Sequence, residues 1–378
     1  MAPKHGPDTL AGIHGTTEAV LDNLASWNDR ADVHANGGYG DLGELVHDPD
    51  AVTGVAKRDY DSIRPFLPNA SLEGLKLLHL QCHIGTDTLC WPRLGAAEVW
   101  GLDFSPTALE YARRLADKAH VDVTYVESDA RFAADAPELA GHLGTFDAIV
   151  TSAGTITWLP ELDEWARSIE RLLTPGGIFM IRDDHPLLSA LGFSGTKIVS
   201  DYKTGSISSY DMDVTYVTDP HNESSEQRLA HTKNHNWSHD FQEIVEALTS
   251  AGLSIEALRE DEVAEWQSLP ILEFHPEDES WRMPAALPRI PLMFSIVARN
   301  HTPPTLPTVK GASMELFSTR LALRPWADAD APALFELARD PRVGTAAGWP
   351  PHSSEEQSLD ILRNVLQGPE QYAITLRE

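Results

Sequence analysis

The sequence predicts an α/β protein built on a doubly wound, mostly parallel sheet with helices on both faces, followed by a small incomplete α/β segment. Between Leu72 and Arg182, short apolar runs of strand length alternate with stretches long enough for a helix. The runs are apolar throughout, the pattern of strands that crossover helices bury on both faces. Composition agrees. Of 378 residues, 42% are hydrophobic and 23% charged, as in a globular chain, and the length leaves room for a second domain or appendage.

In chain order, residues 1–70 read as an N-terminal helical lid segment. Helical stretches at Thr17–Arg30 and Val52–Phe66 flank the loop Asn36-Gly37-Gly38-Tyr39-Gly40. Residues 71–300 form the main domain, with strands expected at Leu75–Leu80, Val99–Leu102, Val123–Val126, Phe146–Val150 and Ile178–Arg182. Thr107–Lys118 and Leu162–Leu173 place apolar residues at helical spacing between them. Residues 187–232 are polar and read as an insertion. A helix at Asp240–Ser250 and strands at Leu253–Leu258 and Leu292–Arg299 complete the domain. Residues 301–313 hold Thr302-Pro303-Pro304-Thr305-Leu306-Pro307, a stiff linker, and 314–378 carry a separate strand–helix–helix–strand pattern.

Charge narrows the function. With 29 Lys+Arg against 57 Asp+Glu, the formal charge is −28, which disfavours nucleic acid, whose binders need a basic face, and equally an anionic membrane surface. No run reaches the ~18–20 apolar residues of a membrane span, and Met1–Gly15 lacks a signal-peptide pattern. Cys82 and Cys90 are the sole cysteines, too few for a disulfide framework or a four-cysteine zinc site. The expectation is a soluble cytoplasmic protein acting on a small-molecule substrate, with no metal; a homo-oligomer stays open.

The sharpest signal is a ladder of three strand ends. The first strand runs into Gln81-Cys82-His83-Ile84-Gly85-Thr86-Asp87 and then a helix; such a turn aims free backbone N–H groups at whatever lies above it. The second ends at Asp103, where a carboxylate can accept hydrogen bonds from both hydroxyls of a ribose. The third ends at Glu127-Ser128-Asp129-Ala130, an acceptor for an adenine amino group. Asp103 also suits a helix cap, and Asp129 a turn.

Asp103-Phe104-Ser105, Asp129-Ala130, Phe146-Asp147 and Leu173-Thr174-Pro175-Gly176-Gly177 fall where class I S-adenosylmethionine-dependent methyltransferases carry their recurring motifs. Residues 72–182 resemble that family, and the likeness extends over most of 20–300. The resemblance implies a Rossmann-like sheet, S-adenosyl-L-methionine as cofactor and methyl transfer as the reaction. It assigns the cofactor to Gln81, His83, Gly85, Asp87, Asp103, Phe104, Ser105, Asp129, Ala130 and Ser152, under an aromatic lid of Trp27 and Tyr39. The first motif departs from the general pattern. His79 stands at the usual acidic position, and Gln81 and His83 replace two of three glycines, so side chains line this part of the pocket.

His185, just past the fifth strand in Arg182-Asp183-Asp184-His185-Pro186, is the first candidate general base, and Asp183 the second. His231, His235 and His239 suggest a metal, but Asn236-Trp237-Ser238 reads as a strand end before a helix cap, which separates them. Two other classes compete with a methyltransferase. One is a non-catalytic cofactor-binding or regulatory protein of the same fold; the other is an NAD-dependent dehydrogenase, against which stands the lack of G-x-G-x-x-G.

Met314–Glu378 resembles the first half of a GNAT-type acetyltransferase. Arg324-Pro325-Trp326 and Gly348-Trp349-Pro350-Pro351 carry the likeness. The chain stops at Glu378, before the turn that family uses for acetyl-CoA. No acetyltransferase activity is expected, and the segment is read as a fusion remnant or a dimerisation element.

Overall fold

The computed structural model describes residues 18–191, 195–217, 228–301, 316–317, 321–340, 343, 350–366 and 372–376. The chain divides into two units, Met1–Pro304 and Thr305–Glu378. Most of the expected linker, and Gly348-Trp349, lie outside the described residues.

In the first unit, strands β1 (Lys76–Leu80), β2 (Glu98–Asp103), β3 (Thr124–Glu127), β4 (Phe146–Ser152) and β5 (Leu173–Asp184) lie parallel. A hairpin of β6 (Ile207–Asp211) and β7 (Lys233–Trp237) stands apart from the sheet. β8 (Leu253–Asp261), a small hairpin of β9 (Glu273–His275) and β10 (Ser280–Arg282), and β11 (Met293–Asn300) follow. The seven-stranded sheet has the order β3-β2-β1-β4-β5-β11-β8, with β11 antiparallel to both neighbours. The chain starts in the middle, at β1, winds outward to β3, and returns to β4 on the other side. The break between β1 and β4 opens a crevice at the carboxyl ends of the strands.

The helices are α1 (Glu18–Val33), α2 (Gly43–His47), α3 (Gly54–Ile63), α4 (Cys90–Arg93), α5 (Pro106–Ala119), α6 (Asp163–Leu172), α7 (Leu187–Ala190) and α8 (Phe241–Ser250). The expected helix 52–66 is shorter, because the Thr53 hydroxyl caps its start and Pro65 opens a separate 3₁₀ turn. α5 starts where predicted. Ser105 accepts from the Ala108 N–H, Pro106 fills the first turn, and His120 closes the helix in the left-handed region at φ 56°. One face of the sheet packs on α6 and α8 around Trp165, Phe179 and Phe294; the other packs around Ile63, Trp91, Val150 and Met180. Both faces are dry, which is why the strands read as unbroken apolar runs.

In the second unit, β12 (Leu316–Phe317), β13 (Leu321–Pro325) and β14 (Tyr372–Leu376) form an antiparallel sheet, with helices α9 (Ala331–Ala338) and α10 (Glu355–Ile361). Arg324 is tied to Asp330 by two bonds of 2.7 Å.

Candidate active site

The turn after β1 keeps its left-handed backbone without its glycines. Gln81 and His83 sit at φ 56° and 49°, and Gly85 at φ 80°. An L-residue in this region costs roughly 1–2 kcal/mol, and here side-chain contacts offset that cost. Gln81 Nε2 donates to the Thr155 carbonyl at 3.0 Å, and the Thr151 hydroxyl donates to Gln81 Oε1 at 3.3 Å. His83 meets His34 ring to ring, Nε2 to Nδ1, at 2.8 Å. A Cβ on Gly85 would lie 2.7 Å from the Tyr125 hydroxyl and 2.8 Å from Ala112 Cβ, so packing against α5 demands this glycine.

Asp103 stands at the end of β2 and is nearly buried. Its Oδ2 accepts from the His83 N–H at 2.8 Å and its Oδ1 from the Ser105 N–H at 2.9 Å. The carboxylate therefore fastens the turn after β1 to the start of α5; with the Phe104 N–H also bearing on it, one of its four lone pairs stays spare. Burial pushes its pKa up to about 6, a penalty that a donor reaching the carboxylate would relieve. Phe104 and Ser105 follow it, and the Ser105 hydroxyl donates to Asn28 of α1 at 2.7 Å. Asp87 accepts from the Thr53 hydroxyl at 2.5 Å; burial, partly countered by that bond, raises it to about 6.

An aromatic roof covers the turn. Trp27 of α1 meets His83 and Trp158 edge-on at 5.0 and 5.1 Å between ring centres. His34 stacks on Tyr39 at 4.7 Å and lies 5.0 Å from Tyr216, whose hydroxyl meets that of Tyr39 at 2.5 Å. Arg30 sits over the rings of Trp27 and Trp158 and donates to Asn234. Trp27 and Tyr39, the residues expected in a lid, pack here with His34, Trp158 and Tyr216, which no sequence motif singles out.

His34 is buried between His83 and the Thr215 hydroxyl, 2.8 Å from each. Burial, with His83 and Arg30 adding to it, drives its pKa down to about 2, and burial takes His83 to about 3. Both rings stay neutral in the folded chain, whereas an unfolded histidine gains a proton near pH 6.5. The folded pKa is depressed, so this contribution is complete above pH 6.5 and lost as pH falls below it. His34→Gln should therefore gain on the wild type by about 1.4 kcal/mol per pH unit on acidification below 6.5. Urea melts at pH 7, 6 and 5 measure this, and a constant difference would refute it.

Four expectations change. Asp129 was expected to meet adenine, but Arg131 occupies both of its oxygens, at 2.7–3.3 Å, and its Oδ1 also takes the Arg131 N–H. Neighbouring Ala130 is buried. The Ser152 hydroxyl donates to Asp59 instead of facing a cofactor. Asp183 cannot serve as the base, because Gly154 N, Thr155 N, the Thr155 hydroxyl, Ile156 N and Asp184 N all donate to it at 2.7–3.0 Å. It clamps the loop after β4. In His185, Nδ1 accepts from Leu187 N at 3.0 Å and Nε2 faces Glu260 at 2.8 Å. Both ring nitrogens are engaged, so it has no lone pair to offer as a base.

Reasoning from sequence missed the acidic floor. Arg182 reaches Asp59 at 2.5 Å and also binds Glu265, which Arg58 holds as well. Burial opposes the charge on Arg182, but Asp59 and Glu265 outweigh it and keep it protonated. Asp184 shares this side of β5 with Arg182, because alternate residues of a strand face alternate sides. That alternation was the available signal. His231, His235 and His239 turn to Asp29, Asp22 and Glu243 respectively. Among the described residues, no group of three or more His, Cys, Asp or Glu could hold a metal ion, and no helix is long and apolar enough to cross a membrane.

Residues 77–177 match the family described as a methyltransferase domain. A ubiquinone biosynthesis O-methyltransferase of Mesorhizobium japonicum is 34% identical over 139 residues, 36% of this chain and 49% of its own length. That of Chelativorans sp. is 31% identical over 152 residues, 40% of this chain and 54% of its own. The chain thus spans about half the length of the curated relatives it matches. Among solved structures, an S-adenosylmethionine-dependent methyltransferase from Mesorhizobium loti is 21% identical, covering 64% of this chain and 97% of its own, with a TM-score of 0.43. Residues 77–177, which hold β1 to β4 and the carboxylate at the end of β2, are thus similar to a methyltransferase domain.

Proposed function

We propose that the chain transfers a methyl group from S-adenosylmethionine to a small-molecule acceptor. The observation that carries this reading is Asp103, a buried carboxylate with a lone pair to spare at the carboxyl end of β2, beside the turn Gln81–Gly85. The donor set fits such a cofactor. Asp103 would hold the ribose hydroxyls, Asp87 the ammonium, and the backbone around Gln81 and His83 the amino-acid portion. His83 Nδ1 is buried without a partner, a polar atom left for a ligand. When bound, the cofactor supplies an electrophilic methyl on a sulfonium, a cation that aromatic faces stabilise by about 0.5–2 kcal/mol; Trp27 and Tyr39 would provide them. With an acceptor in place the roof would help to keep water from the methyl. Holding the acceptor in line can contribute roughly 7–11 kcal/mol of the barrier reduction.

The name shared by the two curated relatives, O-methyltransferase, is in line with oxygen as the accepting atom. The acidic floor favours a neutral or cationic acceptor over an anion. Every residue named in the site precedes Asn300, so the segment 314–378 is assigned no part in the reaction. Calorimetry with S-adenosylmethionine and S-adenosylhomocysteine tests the reading, and no binding of either at millimolar concentration would sink it. Asp103→Ala should weaken S-adenosylhomocysteine binding by about 1–3 kcal/mol; unchanged affinity would leave Asp103 as a cap for α5 alone.

A further inference from the structure

We propose that Asp184 is the catalytic base of the transfer, taking the proton from an acceptor that reacts through a hydroxyl or an ammonium group. This rests on the methyl-transfer reading above. Three features single out Asp184. It ends β5, on the rim of the crevice, where a Cβ placed on Gly154 of the loop after β4 would lie 4.0 Å from its Oδ2. Its described side-chain hydrogen bonding comes from one group, the Trp266 indole N–H, at 3.2 and 3.3 Å from its two oxygens. Asp183 beside it takes five donors. A carboxylate with lone pairs to spare on the crevice rim can accept a proton; one saturated by backbone N–H groups cannot.

The surroundings suit that task. Tyr216 meets Trp266 at 5.6 Å between ring centres, so Asp184 lies at the foot of an aromatic wall. The charged groups around it are Asp183 and Arg182 on its own strand and Glu265 next to Trp266; from the insertion, the Tyr216 hydroxyl also feels its charge. Burial raises its pKa to about 7, with Asp183 and Glu265 adding to the rise and the Trp266 bond and Arg182 opposing it. A base is most effective when its pKa lies near the working pH. In the step, the acceptor's O–H or N–H bond breaks and its proton passes to Asp184. The freed lone pair forms the bond to the methyl carbon as the carbon–sulfur bond breaks, leaving that electron pair on sulfur. Asp184 then returns the proton to solvent.

The test uses the full chain, labelled S-adenosylmethionine and the small-molecule filtrate of a bacterial extract as probe. Asp184→Asn should keep its affinity for S-adenosylhomocysteine within about twofold while transfer falls by about 10²–10⁴-fold. Asp184→Glu should recover part of the rate, and the wild-type rate should rise with pH and level off above about 7. A second readout needs no turnover: the ¹⁵N indole signal of Trp266, assigned with Trp266→Phe, should titrate near pH 7 in the wild type and not in Asp184→Asn. Ethers as products identify hydroxyl acceptors, and methylated amines identify ammonium acceptors. The proposal is overturned if Asp184→Asn transfers at the wild-type rate, if methyl esters are the sole products, or if the indole signal does not titrate. Wild-type protein that binds no cofactor, or binds it and transfers to nothing, overturns methyl transfer itself, a failure distinct from the others.

Discussion

Arg182→Ala should lower the unfolding free energy by about 3–5 kcal/mol, the loss expected when one partner of a buried ion pair is removed. Asp59 and Arg182 are almost completely buried, and Glu265 largely so. Arg182 spans the two acids, with Asp59 from α3 on one side and Glu265 from the segment after β8 on the other. Without the guanidinium, Asp59 retains the Ser152 hydroxyl and Glu265 retains Arg58, so Asp59 suffers the larger loss. Adding Asp59→Asn to Arg182→Ala should therefore recover part of the stability, because a neutral amide costs less to bury than an unpaired carboxylate. Arg114→Ala, which removes an exposed pair with Glu110, should change stability by less than about 1 kcal/mol. Urea melts of the four proteins decide it. A loss from Arg182→Ala no greater than that from Arg114→Ala would show that the buried cluster contributes nothing net.

Gly85→Ala should cost about 2–5 kcal/mol and weaken S-adenosylhomocysteine binding with it. At φ 80° an alanine bears roughly 1–2 kcal/mol of backbone strain. Its Cβ would also lie 2.7 Å from the Tyr125 hydroxyl and 2.8 Å from Ala112 Cβ; Tyr125 and Ala112 belong to one buried cluster, where overpacking costs about 1–3 kcal/mol. Gly74→Ala separates the two terms. Gly74 has φ 79° with nothing within 4 Å of a Cβ, so it should show the backbone term alone. Equal losses in the two variants would mean that α5 yields freely and that packing does not demand Gly85.

The same turn shows what a motif can conceal. Replacement of two glycines by Gln81 and His83 reads as side chains lining the pocket, and the structure adds that the left-handed backbone persists at both positions. The side chains offset the strain through Thr155, Thr151 and His34, partners 49–74 residues away. Local spacing cannot register such distant bonds. His185 illustrates the converse: its place at a strand end was legible, but Leu187 N and Glu260 had already engaged both ring nitrogens.

By itself the sequence determined the strands of the main sheet, helices between them, and the places of Gly85 in the first turn and Asp103 at the second strand end. Hydrophobic period and capping residues are local properties, and strands buried on both faces write them as unbroken apolar runs. Only the tertiary structure decided that β11 enters between β5 and β8 and runs against both. It alone decided that Asp129 and Asp183 spend their oxygens on nearby donors, and that Asp184 keeps lone pairs to spare. It also gathered Trp27, His34 and Tyr216 into one roof and Asp59, Arg182 and Glu265 into one floor. The reason is physical: a carboxylate or imidazole acquires its role from the donors and charges that folding brings within hydrogen-bond reach, and most of those come from distant parts of the chain.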